Sequence, residues 1–261
     1  MKRRLLLIVT VMAMILCVSQ AAFANPVDLS QKEWKVMETE TVILNRSNLI
    51  DKGMLKAVRP DSKEAETLGI DLQNNEIAFV SEQLIEKAID PITREEKKIY
   101  AITAETYILN DDAEVKDLAE IQSLSWATDP KVTANASLRL TLRYNYEVLN
   151  LGDGKYVKVS GLQGKYEILN NDIAVEEPGY LYLLAYGFPR DNDPQFINQY
   201  EDDDITSEGT YKTLTASWDE YVRMADGSGI RCYMEVEYIR LQTGTSYLAS
   251  HDRTWGLTGL Y

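Results

Sequence analysis

Cysteine and histidine are nearly missing from this chain: it has two Cys and one His in 261 residues. Cys17 falls in an apolar N-terminal stretch, so Cys232 stands alone in the remainder and no intramolecular disulfide can form there. Many exported domains lean on disulfides to compensate for a small core; this one must rely on burial or on a bound ion. A single imidazole, His251, and a single thiol cannot build a Cys/His zinc site. A Ser-His-Asp triad would have to use His251, yet the adjacent Asp252 would project to the opposite face of a strand. His251 therefore reads as a surface or partly buried hydrogen-bonding residue, and Cys232 as a buried apolar thiol. Phosphate-binding loops, dinucleotide fingerprints, Gly-x-Ser-x-Gly elbows and His-Glu-x-x-His helices are also missing. Positive charge is scarce as well, with 27 Lys and Arg against 41 Asp and Glu and a net charge of −14. That balance argues against a nucleic-acid partner and against docking on an anionic membrane surface.

What is present begins at the N-terminus. Lys2, Arg3 and Arg4 precede an uncharged apolar run, Leu5 to Val18, and Ala22-Phe23-Ala24 forms a small-x-small site. This layout predicts a secretory signal peptide over 1–24, cleaved before Asn25, and places the protein outside the cytoplasm. The apolar run falls short of the roughly 20 residues of a membrane span. An uncleaved N-terminal anchor is the competing reading.

Beyond the leader, composition changes near residue 130. Of the 16 Tyr, only Tyr100 and Tyr107 precede that point. Tyr favours strands, and Ala127-Thr128-Asp129-Pro130 makes a plausible joint. The expected fold class is therefore α+β: a mixed α/β region over 25–130, followed by an all-β antiparallel sandwich over 131–261, with a barrel as the alternative. In the first region, Ser30-Gln31-Lys32-Glu33 forms a capping box. Trp34, Met37, Thr41 and Leu44 continue at helical spacing, although Thr41-Val42-Ile43 also suits a strand. A short helix is expected after Asp61-Ser62, another after Ser81 with Leu84, Ile85, Ala88 and Ile89 on one face, and a third after Asp111-Asp112. Residues 98–109 read as a strand. In the second region, Leu138, Leu140, Leu142, Tyr144 and Tyr146 alternate with polar residues, and Gly152-Asp153-Gly154 turns the chain into a hairpin. Further strands are expected at 165–169, 180–186, 211–218, 230–241 and 246–255.

Two surfaces carry functional interest. In Tyr180–Tyr186, strand geometry puts Leu181, Leu183 and Ala185 on a core face, and Tyr180, Tyr182, Leu184 and Tyr186 on the other. Tyr180, Tyr182 and Tyr186 then offer flat amphipathic rings to a polysaccharide or an extracellular protein; burial of both faces between two layers is the competing reading. The second surface is an acidic interval between strands. Asp191, Asp193, Asp202 and Asp204 could supply oxygen ligands to calcium, the one cofactor the sequence suggests, although no EF-hand spacing is present and a solvated acidic loop explains the same residues. The expected function is a secreted or envelope-associated, non-enzymatic binding protein. The alternatives are a glycan hydrolase acting through paired carboxylates and a structural or assembly component of a cell surface or coat.

Overall fold

A computed structural model describes residues 33–44, 46–60, 62–68, 70–73, 75–110, 136–188, 197–224 and 228–255. The expected signal peptide and the helix expected after Asp111-Asp112 lie outside them. Strands dominate: β1 (Lys35–Thr39), β2 (Leu55–Val58), β3 (Ile70–Asp71), β4 (Glu76–Ile89), β5 (Glu96–Leu109), β6 (Ala136–Leu151) and β7 (Gly154–Ile168) come first. They are followed by β8 (Ile173–Val175), β9 (Gly179–Gly187), β10 (Ile197–Ile205), β11 (Lys212–Thr215), β12 (Val222–Arg223), β13 (Gly229–Arg240) and β14 (Thr245–Trp255). Two short helices, α1 (Arg46–Asp51) and α2 (Lys63–Leu68), complete the described elements.

The strands form two antiparallel sheets. The larger has the order β1-β4-β5-β6-β7-β11, with β2 also on β4 and β12 also on β7, and it curls into a half-barrel. The smaller has the order β10-β9-β13-β14-β3, with β8 also on β13. Inward side chains of both sheets meet in one core that includes Leu138, Leu140 and Leu142 from β6, Leu181 and Leu183 from β9, and Cys232, Met234 and Val236 from β13. The sheets approach closely at Gly164, where a Cβ would stand 2.4 Å from Leu181 Cδ2 and 3.1 Å from Met234 Sδ. A smaller cluster on the outer face of the larger sheet gathers Leu49 of α1, Leu55, Ile77, Phe79 and Tyr107.

The mixed α/β region expected over 25–130 is not supported: its described residues are mostly strand, with α1 and α2 as short helices between strands. Residues 35–39 are a strand pairing with the end of β4, from Lys35↔Ile89 to Thr39↔Glu86. The supposed helical stripe is not buried: Met37 is 56% exposed and Leu44 53%. An isolated helix of that length gains too little from its own hydrogen bonds, whereas β4 offers an open edge. The helix expected after Ser81 is also a strand. Its apparent helical spacing comes from a bulge: Leu84 pairs with Tyr100 and Glu86 with Ile99, so Ile85 is an inserted residue that breaks the period of two. Pro91 sits in the β4–β5 turn, where Asp90 Oδ1 accepts from the Ile92 and Thr93 amides at 2.8 and 3.0 Å. The helix expected after Asp61-Ser62 is α2, and Ser62 Oγ accepts from the Ala65 amide at 3.0 Å as its N-cap.

The β-rich second half follows its pattern closely. β6 and β7 form a long hairpin closed by Gly152-Asp153, with Leu151 opposite Gly154. The strand expected at 165–169 is the far end of β7 and not a separate element. The compositional change near residue 130 falls between two neighbouring strands, because β5 pairs with β6 along its whole length. The described residues from Trp34 onward form one compact unit.

Candidate functional site: an aromatic and acidic face on the smaller sheet

β9 alternates as its sequence demands. Leu181, Leu183 and Ala185 are fully buried, while Tyr180, Tyr182, Leu184 and Tyr186 are half-exposed on the outer face. The rings are therefore not sealed between two layers. Pairing brings in a neighbour that the sequence pattern does not mark. Asp204, Asp202, Tyr200 and Asn198 of β10 stand opposite Tyr180, Tyr182, Leu184 and Tyr186. On the other side, Glu235, Tyr233 and Arg231 of β13 stand opposite Tyr180, Tyr182 and Leu184.

The result is a ladder of rings. Tyr180 stacks beside Tyr182 with centroids 6.5 Å apart, and Tyr182 lies 6.2 Å from Tyr200, which is 63% exposed. Tyr233 continues the row under the Arg231 guanidinium, 4.8 Å from its centroid. Arg231 is held by a two-pronged ion pair to Asp252, at 2.5 to 3.0 Å. Tyr186 lies further along β9, between Asn198 and Gly229.

Carboxylates edge this ladder and orient its hydroxyls. Burial and a hydrogen bond to Asp202 push the Tyr180 phenol up to about 12. Burial and then the Glu235 carboxylate, which accepts the Tyr233 hydroxyl, raise Tyr233 as well. Both hydroxyls are therefore protonated donors at any physiological pH. Next to Tyr180, Glu177, Pro178, Asp204, Glu237 and Leu248 border an open cleft of about 390 Å³.

The proposed calcium ligands divide. Asp191 and Asp193 lie outside the described residues. Asp202 and Asp204 are not in a loop: they occupy β10, the end strand of the smaller sheet. Asp203 between them points the other way and pairs with Lys212 Nζ at 2.7 Å, and that hydrogen bond lowers its pKa. Among the described residues no group of three or more His, Cys, Asp or Glu is arranged to hold a metal ion.

His251 is not at the surface. It is 1% exposed, and its Nδ1 lies 2.8 Å from Thr106 Oγ1 across the core. Desolvation, assisted by the nearby Arg253 charge, lowers its pKa to about 3. Asp252 does project to the opposite face, as expected of strand neighbours, and engages Arg231. Cys232 is fully buried, and burial pushes its thiol pKa up. Neither group can act as a titrating catalyst near neutral pH.

No family model, no curated protein and no solved structure matches the chain. Its chemistry must be read from its own surfaces. Tyr200 and Tyr233 are the members of the ring ladder that the sequence pattern does not single out. Every residue from Asn198 to Asp204 is polar or Tyr, so no alternation betrays a strand there.

Proposed function

We propose that the protein is a secreted or envelope-associated, non-enzymatic binding protein that presents the Tyr180–Tyr182–Tyr200 ladder to a polysaccharide. The scaffold is read as a two-layer sandwich, with the ladder on the solvent side of its smaller layer. The ladder itself carries the reading. Successive exposed rings at 6.5 and 6.2 Å offer flat apolar area at low entropic cost. The flanking carboxylates of Asp202, Asp204 and Glu235 add acceptors for sugar hydroxyls. The hydrolase alternative gains nothing from the carboxyls whose shifts are resolved. Glu96, Glu147, Glu167 and Asp203 are all shifted downward, whereas a glycosidase acid needs a raised pKa.

A second reading is favoured by charge. Among the described residues, Asp202, Asp204, Glu235, Glu237 and Asp252 share this outer face with a single cation, Arg231. That arrangement suits a cationic segment of an extracellular protein.

Affinity electrophoresis against soluble polysaccharides tests the first reading. Retardation should weaken about tenfold or more in a Tyr182→Ala/Tyr200→Ala variant whose melting temperature is unchanged. No retardation by any glycan, together with salt-sensitive binding of a Lys-rich peptide, would replace it with the second. Export is tested by N-terminal sequencing of the processed chain, which should begin at Asn25.

A further inference from the structure

The outer face of the larger sheet holds a groove of a different character. It runs over β5, β6, β7 and β11 beside residues 42–44 and encloses about 480 Å³, within the range of small-molecule sites. Val42 and Leu44 form an apolar wall, while Arg143, Asn145, Gln163 and Thr213 supply polar groups. Arg143, Gln163 and Thr213 stand side by side on three neighbouring strands, in the registers Arg143↔Gln163 and Gln163↔Thr213. Gln163 Nε2 donates to Thr213 Oγ1 at 3.1 Å, which fixes the amide at the groove's edge.

Arg143 is the unusual member. Its neighbours on this face are neutralised: Arg139 and Lys165 both pair with Glu167, at 2.7 and 2.9 Å. Arg143 has no ion pair among the described residues. Its guanidinium stacks on the Tyr211 ring, 4.5 Å from the centroid. Its Nε and the Tyr211 hydroxyl are shielded from water and have no hydrogen-bond partner. A stacked guanidinium is held flat with its fork pre-oriented, and a cation with no ion pair beside a groove attracts an anionic ligand.

We propose that this groove binds a hydroxylated carboxylic acid of sugar-acid size, with its carboxylate on the Arg143 fork and its hydroxyls on Asn145, Gln163 and Thr213. The apolar wall covers the C–H face of the ring. The site is independent of the tyrosine ladder, which lies on the other sheet.

Isothermal titration of the purified protein with D-glucuronate and with D-glucose tests it. Glucuronate should bind at least about tenfold more tightly than glucose, because a hydrogen bond to a charged group is worth about 10- to 100-fold. Arg143→Gln should remove that preference. Thr213→Trp changes an exposed residue, fills the groove and should abolish binding of both sugars even if Arg143→Gln fails to fold. Tyr182→Ala should leave glucuronate binding unchanged, which separates this site from the ladder. Equal affinity for the two sugars, no heat from glucuronate at about 10 mM, or unaltered binding by Thr213→Trp would overturn the proposal.

Discussion

His251 makes acid stability a sharp test of the core. The imidazole is buried, hydrogen-bonded only to Thr106 Oγ1, and near the Arg253 guanidinium. Burial holds its pKa at about 3, against an ordinary 6.5. The direction of the effect follows. The unfolded chain takes up a proton on this side chain as pH falls below 6.5, while the folded chain does not until about pH 3. Stability contributed by the neutral buried ring is thus complete above pH 6.5 and is lost as pH falls from there towards 3. Each pH unit inside that window costs about 1.4 kcal/mol, so lowering the pH from 6.5 to 4.5 removes about 2 kcal/mol through this one group. Carboxylates also titrate there, so the measurement must be a difference. Urea unfolding of the natural protein and of a His251→Gln variant, followed from pH 7 to 4.5, isolates it. The midpoint of the natural protein should fall by about 1 M more than that of the variant. Because His251 is the sole histidine, its ring protons also form an unambiguous NMR titration, with no inflection above pH 4. Parallel pH profiles for the two proteins, or an inflection near 6.5, would refute the buried neutral ring.

Three further outcomes follow from the packing. Gly164→Ala places a methyl against Leu181 and Met234 between the sheets and should destabilise by about 1–3 kcal/mol, read as a lower melting temperature. Cys232 should not react with a thiol reagent in native buffer and should react fully in urea, since it is 0% exposed; native labelling would show that the sheets open there. Asp90→Ala removes two turn hydrogen bonds and should cost about 1–2 kcal/mol by chemical denaturation, with Asp90→Asn recovering most of the loss.

Much of the second half was legible because one face of each strand is buried and the other is wet. In 138–146, 180–186 and 230–241, alternate residues must be apolar, and that period of two is written directly in the chain. The same logic placed Leu181, Leu183 and Ala185 in the core, where they are found. It failed where that contrast disappears. β4 is buried on both faces from Ile77 to Ser81 and bulged at Ile85, so neither a strand period nor a clean helix period survives. β1 is exposed on both faces, and its identity depends on an edge supplied by residues about fifty positions away. Between its terminal isoleucines β10 is polar or Tyr, so the chain marks it as a loop.

Local sequence thus determined which segments present one apolar face, the placement of Tyr180, Tyr182 and Tyr186 on a single outer face, the seclusion of Cys232, the turn at Asp153 and the helix start at Ser62. Tertiary structure alone decided which strands lie side by side. Pairing brought Tyr200 to Tyr182, seated Arg231 over Tyr233, left Arg143 without a carboxylate beside Tyr211, and drew His251 across the core to Thr106. The physical reason is that a strand's own residues set only its two faces, whereas its neighbours are set by hydrogen bonds to distant segments whose registers no local pattern encodes.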